Sequence, residues 1–554
     1  MISESQLAVL ALAGASLFAV YFKPLRRIIR KRRYERGRKV SKPKRLRNRK
    51  EDGLTWGDLV IPDSSATRHF MAAGTTGSGK THVQRLLMER PLLELPHRPD
   101  SRALIYDAKG DTVPYLKRIG VTAPVYSLNP FEARNDYPQA VSWDAGKDVT
   151  SPMRALNLAS ALHPNEGGGS NRYFVNASRH VSAGVLKSLI KHNPLQWTFS
   201  EFVAISLSKE LTTQVLMRDP QGKRVVETFL RDDRTGDDVF STVCTALAYF
   251  EPVAALWKTS PRKLSIREWL TSSSVLLLGQ NATASAALDV LNEQLFRLFA
   301  DEVDVQTNST SRRTWVWLEE AREAKGIVGS EALQLLANKG RSRGVCLVLA
   351  FQAVEGFHSA AGKENAENLI AQCSHKALLR MESQGSAKWA SELLGQTEKI
   401  EVFRSDGEKL LSGESRSEQR VLKDAVLPSE FYTIPETTKE NGLTGFFVAP
   451  TAIPRRVCIS GTVVEAVVVG DDAEREFAVQ HRDESEQWLP ELSRTEAERL
   501  GIEVQQSREL EPVRKPSRKL RLRTGAAWNV AGLSQVEAIE QAFLTDQFDE
   551  GLEH

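Results

Sequence analysis

The chain has 554 residues, 41% of them hydrophobic and 26% charged, with a formal charge of +4. That composition excludes bulk disorder, and the length exceeds the roughly 250 to 300 residues at which a single core stops growing, so two or three folded units are expected. Cys244, Cys346, Cys373 and Cys458 lie far apart with no Cys-x-x-Cys pair, which argues against a zinc ribbon or a disulfide framework and suits a reducing cytosol.

Leu7 to Phe22 runs for sixteen residues without a charge. As a helix rising ~1.5 Å per residue it reaches ~24 Å, short of a ~30 Å hydrocarbon core, so spanning requires snorkelling by Lys23 and Arg26 or local thinning of the bilayer. A cleavable signal peptide fits worse, because its leading region should be basic and Met1 to Ser5 carries only Glu4. Between Lys23 and Lys50, sixteen Lys or Arg face one acid, Glu35. The positive-inside rule puts that side in the cytoplasm. It predicts a single anchor over residues 1–22, with the N-terminus outside, and a basic juxtamembrane segment over 23–52. The competing reading is a short core helix followed by a solvated or nucleic-acid-binding arm, since lipid and DNA both attract Lys and Arg through phosphate charge.

From Trp56 the pattern becomes globular, without internal repeats. His69–Ala73 predicts a buried strand and Thr81–Met88 an amphipathic helix. Ala103–Tyr106 and Pro124–Leu128 are the next strand candidates, and this β-turn-α-β order predicts a parallel sheet over residues 53–150. From Ser151 to Leu270 helical spacing dominates, with a polar, Gly-rich break at Asn165–Asn171, which predicts an all-α insertion over 151–270. Strand signals return at Ser274–Gly279, Thr314–Leu318, Val345–Ala350 and Lys376–Arg380, so the sheet resumes over 271–465. Residues 466–554 are charged and poor in apolar runs, with a basic stretch from Arg514 to Arg523 and an acidic end from Asp546 to Glu553. They predict a loosely folded tail.

The chemistry begins at Gly74-Thr75-Thr76-Gly77-Ser78-Gly79-Lys80-Thr81, a phosphate-binding loop pattern with a strand before it and a helix after it. Glycines let backbone N–H groups turn inward on phosphates, the new helix presents its positive dipole end, Lys80 reaches the terminal phosphates and Thr81 holds Mg²⁺. A second acidic site must end a neighbouring strand, to position the metal and polarise the attacking water. Trp315-Val316-Trp317-Leu318 running into Glu319 and Glu320 is the best candidate, against the blander reading of a solvated acidic helix start. Asp107-Ala-Lys-Gly-Asp111 also follows a strand and either faces the nucleotide or the pore of a ring, with Asp107 as its candidate site residue, or is a plain turn. Gln352 ends the apolar run from Val345 and stands where an amide would sense the terminal phosphate. His69, His163 and His180 have no partners at metal-ligand spacing and are expected to be structural.

Together these strings resemble the type IV coupling proteins of bacterial conjugation, membrane-anchored hexameric ATPases related to DNA-translocating ring motors. His69 to Thr81 looks like that family's Walker A motif, Leu104 to Asp111 its Asp-x-Lys-Gly motif, and Leu128-Asn129-Pro130-Phe131 its Asn-Pro turn. Gly340-Arg341-Ser342-Arg343-Gly344 leading to Gln352 is similar to its Gly-Arg-x-x-Gly segment and sensor strand. The likeness spans Gly53 to Pro454. It implies an α/β fold: a RecA-like P-loop sheet with an inserted all-α domain and an N-terminal membrane anchor helix. It also implies ATP and Mg²⁺ as cofactors, a homo-hexamer in the bacterial inner membrane, and DNA, a relaxase and type IV secretion channel proteins as partners. The cofactor set is Gly74 to Thr81 with Asp107. The catalytic set is Glu319, Glu320, Gln352 and a trans-acting Arg341, with Arg343 as the nearby alternative to Arg341 and two solvated arginines as the bland one. Thr81 and Glu319 are the metal ligands. Two departures stand out. Glu319-Glu320 replaces the family's usual Asp-Glu, and one short apolar run replaces the two transmembrane helices of many members. Two other functions fit the same residues: a related ring ATPase of DNA processing or phage defence, and a nucleotide-binding membrane scaffold that does not translocate DNA.

Overall fold

The computed structural model describes residues 36–46, 53–133, 138–163, 171–231, 233–405, 415–450, 452–469, 480–481 and 484–503, and its centre is an eleven-stranded sheet. In chain order its strands are β1 (Ser41–Leu46), β2 (Phe70–Ala73), β3 (Ser101–Asp107), β4 (Val125–Ser127), β5 (Gln139–Ala140), β6 (Val275–Gly279), β7 (Arg313–Leu318), β8 (Val345–Phe351) and β9 (His375–Leu378). A separate hairpin of β10 (Gln396–Ser405) and β11 (Ser415–Asp424) follows, before the sheet closes with β12 (Leu443–Ala449) and β13 (Ala452–Ile459). The spatial order is β1-β13-β12-β9-β2-β8-β7-β3-β6-β4-β5. From β9 to β5 every pairing is parallel.

β2, β3, β7 and β8 are buried at every position, as parallel strands covered on both faces must be. Their side chains alternate between two cores. Phe70, Ile105, Trp315, Trp317 and Val348 face α1 (Lys80–Leu93) and α2 (Thr112–Ile119). Met71, Leu104, Val316, Leu318 and Leu349 face the opposite layer. That second layer holds the helices α3 (Pro152–Leu162), α4 (Asn171–His192), α5 (Phe199–Ser206), α6 (Lys209–Leu216), α7 (Pro220–Phe229), α8 (Arg234–Ala248) and α9 (Glu251–Lys258), followed by α10 (Ser285–Asp304) and α11 (Glu331–Lys339).

Among the described residues between 152 and 258 the chain is divided into seven helices, most of whose starts the sequence caps. Ser151, Thr198, Ser208, Asp219 and Asp233 each accept a hydrogen bond from the first turn that follows, an arrangement that contributes about 1 kcal/mol per cap. Ser142–Trp143 and Lys263–Leu264 pair in parallel on either side of this run, so its entry and exit are tied together. Among the described residues no single helix is long and apolar enough to cross a membrane. Leu7 to Phe22, the basis of the anchor expectation, lies outside them, as do residues 164–170 of the Gly-rich break, the basic stretch from Arg514 and the acidic end.

Three features depart from the sequence reading. Part of the basic segment becomes β1, an edge strand parallel to β13. Edge positions tolerate Lys and Arg, and SKPKRL has no apolar alternation to announce a strand. The β10–β11 hairpin carries charged residues along its length, so its sequence has no long apolar run to announce it. The tail is not loose throughout: α12 (Arg494–Leu500) buries Ala497 and Leu500 in the helical core, and Leu492 and Ile502 join them from either side.

His69 ties two elements, with Nδ1 accepting the Leu347 N–H at 3.1 Å and Nε2 lying 3.1 Å from the Ala337 carbonyl. His163 sits between Ser182 Oγ at 2.7 Å and Ser178 Oγ at 3.1 Å, and His180 stacks on Phe229. Burial lowers the pKa values of His69, His82, His163 and His375 to about 4. The unfolded chain therefore binds these protons more readily. The stability contribution is complete above about pH 6.5 and is lost as pH falls from there through about 4. Urea unfolding should show a lower midpoint at pH 5 than at pH 7.5, and His163→Gln should make that difference smaller.

Candidate functional site

β2 ends at Ala73 and α1 starts at Lys80, so the loop between them must reverse the chain in a few residues. Gly77 and Gly79 do this with φ of 74° and 93°, the left-handed region that side chains avoid. Both edges of the loop are braced. The Gly74 N–H donates to Phe351 O at 3.2 Å, Thr75 N–H to Arg380 O at 2.8 Å, and Thr437 N–H to Gly77 O at 3.0 Å. Ser78 Oγ closes the turn on Thr75 O at 2.6 Å, while Thr76 is exposed at its tip. The first amides of α1 have no acceptor within the helix, so they and the dipole favour an anion here. Lys80 Nζ folds back on the carbonyls of Gly74 and Thr75 at 2.8 and 3.0 Å. Burial lowers its pKa to about 8, against the opposing pull of Glu320. Thr81 follows, half-buried in the first turn.

Two strands away, β7 ends at Leu318, and the next two carboxylates keep different company. Glu320 is buried and receives two donors, Lys109 Nζ at 3.1 Å and the Gln352 amide. Burial alone would lower the Lys109 pKa, but Glu320 raises it. Glu319 instead joins Asp107 and Asp111, one oxygen from each lying within 4.8 Å of the others. Burial pushes the Glu319 carboxyl up to about 8, and the charges of Asp111 and Asp107 push it the same way. Asp107 also accepts the Gly110 N–H at 2.8 Å and the Thr112 N–H at 3.2 Å, so it holds the turn as well. Asp111 pairs with Arg85 of α1 at 3.0 Å through one oxygen, and its other oxygen is buried without a hydrogen-bond partner. Crowded carboxylates with an orphaned oxygen suit a hard divalent cation such as Mg²⁺.

Arg341 stands apart from this group. It precedes β8 while Gln352 follows it, and that seven-residue strand separates them by more than ~20 Å. β2 and β8 are parallel with Ala73 opposite Phe351, so Arg341 lies at the sheet edge opposite its own phosphate loop. Arg341 is exposed, and its side chain makes no hydrogen bond or ion pair among the described residues. It opens on a polar cleft of about 1010 Å³ with Ser309, Thr310, Lys339 and Ser342. Arg343 is different: Asp304 at 3.1 Å and Gln306 O at 3.2 Å hold it in place.

Sequence reasoning placed the string Asp107 to Asp111 towards the nucleotide, a pore or a plain turn and singled out only Asp107, so the contact of Lys109 with Glu320 and the place of Asp111 beside Glu319 are additions of the structure. It passed over Arg380 and Thr437, whose bracing of the loop has no local signature.

The model of the type IV secretion-system coupling protein DNA-binding domain matches residues 53–456. Coupling protein TraD of Escherichia coli (strain K12) is 21% identical over 438 residues, 74% of this chain, and the chain spans 57% of that protein's length. Among solved structures, the bacterial conjugative coupling protein TrwBdeltaN70 superposes with a TM-score of 0.57 at 18% identity, covering 74% of this chain and 89% of that one. The plasmid coupling protein TrwB in complex with ADP and Mg²⁺ gives 0.55 at 17% identity, covering 80% and 93%. At such identities these likenesses carry the mixed α/β fold alone.

A side chain at Gly79 would need the left-handed φ and would place its Cβ 2.6 Å from both Thr437 Oγ1 and Leu443 Cδ1. Gly79→Ala should therefore weaken binding of a fluorescent ATP analogue by about tenfold or more, a cost of about 1.4 kcal/mol, while leaving the far-ultraviolet circular dichroism unchanged.

Proposed function

The chain belongs to the type IV secretion-system coupling protein family, and from that premise we propose that it is a membrane-anchored ATPase that pumps DNA or nucleoprotein through a ring of identical subunits. The observation that carries the proposal is the meeting at one sheet edge of a braced phosphate loop, a three-carboxylate group and a buried Glu320 held by Lys109 and Gln352.

In this reading the amides of Gly77 and Gly79, the first amides of α1 and the Lys80 ammonium bind the terminal phosphates of ATP, while the Gly74 and Thr75 amides brace the loop. Thr81 and Glu319 would hold Mg²⁺, with Asp107 and Asp111 beside them. When bound, that ion neutralises charge developing on the phosphates. Glu320 orients the attacking water. Lys109 and Gln352 fix the Glu320 carboxylate, and Gln352 reports the state of the terminal phosphate along β8. Arg341 is too far from its own loop to touch its own nucleotide, and its exposure suits contact with the nucleotide of a neighbouring subunit. The tethered Arg343 braces the turn that presents it.

The helices from residue 151 to 270 form the inserted domain of this proposal, and the RecA-like sheet forms the motor. Residues 1–22 anchor the ring in the inner membrane and the basic segment after them lies against the cytoplasmic leaflet. A relaxase and a type IV secretion channel are the proposed partners on either side of transport.

ATP turnover should rise when single- or double-stranded DNA is added, and a flat response would favour a recruitment scaffold. Glu320→Gln should retain ATP binding and lose on the order of 10² to 10⁴ in hydrolysis rate. Arg341→Ala should also bind ATP, and lose roughly 10³ or more in rate. Mixing it with Glu320→Gln subunits, whose own arginine is intact, should restore hydrolysis. Failure of normally assembled mixed rings to recover would assign Arg341 no role across the interface.

A further inference from the structure

Residues 484–503 lie beyond the segment that the family model matches, which ends at residue 456, yet they pack against helices inside it. How they are held is informative. Most of the contacts grip main chain. Lys258, at the end of α9, donates to the carbonyls of Pro490 and Glu491 at 3.5 and 3.2 Å. Asn193 donates to Arg499 O at 2.8 Å, and Arg218 donates to Leu500 O. Gln214 of α6 pairs with Glu503 in both directions, its amide nitrogen donating to the carbonyl at 3.1 Å and its amide oxygen accepting the N–H at 2.9 Å. A primary amide in that position imitates the pairing of a neighbouring strand.

Its side chains engage the helices at charged and apolar anchors, and Arg499 also donates to Gln196 O at 2.7 Å. Glu496 meets Lys258 at 3.0 Å, Arg499 meets the buried carboxylate of Glu201, and Leu492, Ala497, Leu500 and Ile502 fill the apolar floor. Ser493 and Glu496 form a reciprocal cap on α12, so the segment carries its own helix start. Backbone grip with sparse anchors is how a binding surface holds a peptide, whereas an element of a domain core is held chiefly by its side chains.

We propose that α5, α6 and α9 form a peptide-binding groove, and that residues 484–503 are its resident ligand supplied in cis. The ligand class is a short, self-capped helix with a Glu and an Arg three residues apart, followed by an apolar pair around a glycine. The groove supplies Glu201 for the arginine, Lys258 for the glutamate, and Gln214 for the exit strand.

The test uses the full chain and a fluorescent peptide copying residues 484–503. In the unmodified chain the tethered segment competes at an effective concentration in the millimolar range, so the free peptide should bind poorly. A chain carrying Arg499→Glu and Leu500→Asp should bind it on the order of tenfold more tightly or better, and adding Gln214→Ala with Glu201→Gln should abolish that gain. A folded double variant that does not take up the peptide overturns the proposal. Should the double variant fail to fold, hydrogen exchange on the unmodified chain decides. Amides of Glu496 to Glu503 should exchange as a separate unit, on the order of tenfold faster than those of α5 and α9. Equal protection across all three would make the segment part of the core and overturn the proposal.

Discussion

The site depends on one constraint, the parallel register of β2, β8 and β7. Ala73 stands opposite Phe351, and Leu318 opposite Leu349, so three strands that are far apart in sequence end at one level. Main-chain hydrogen bonds carry that alignment past the strand ends: Gly74 N–H reaches Phe351 O, and Ala321 N–H reaches Ala350 O at 2.8 Å. A slip of one residue would turn every buried side chain to the wrong core and displace the loop, Gln352 and Glu320 together. The alternation of Phe70, Trp315 and Trp317 against Met71, Val316 and Leu318 fixes that register. The packing of the two cores and the geometry of the site are therefore the same piece of physics.

Inside that frame, charges are placed where burial costs most and are compensated by neighbours. Lys80 is held by two loop carbonyls and Glu320 by Lys109, while the Glu319 group leaves like charges close together. A carboxyl pushed up to about 8 by burial and by two other carboxylates is costly to ionise in isolation. That cost makes the position receptive to a cation. Glu320, one residue on, has donors on both oxygens, so adjacent residues of the same type are set for different tasks by the pleat of the strand that delivers them.

Much of this was legible in the sequence, for reasons that vary from one element to another. The strands β2, β3, β6, β7 and β8 are continuous apolar runs bounded by turn residues, and burial on both faces leaves that trace. The phosphate loop is legible because its glycines meet a steric requirement that no other residue satisfies. β1 was not legible, since an edge strand rich in Lys and Arg looks like a solvated arm. α12 was missed because its few buried residues are scattered among charges and contribute only once the helical layer exists to receive them. Thr437 and Arg380 brace the loop through main-chain atoms, which leave no mark on residue type.

The pairing of Ser142–Trp143 with Lys263–Leu264 places the entry and exit of the helical run on neighbouring strands, about 4.8 Å apart. To the sheet, everything between them is one long surface loop whose ends are already closed. Because the entropy of closing a loop grows only slowly with its length, residues can be added within the run at small entropic cost, provided that the helices covering Met71, Leu104, Val316 and Leu318 keep their apolar faces. Tolerance to change should therefore concentrate on the solvent-facing side of the inserted layer, while its sheet-facing side stays bound to the strands it covers.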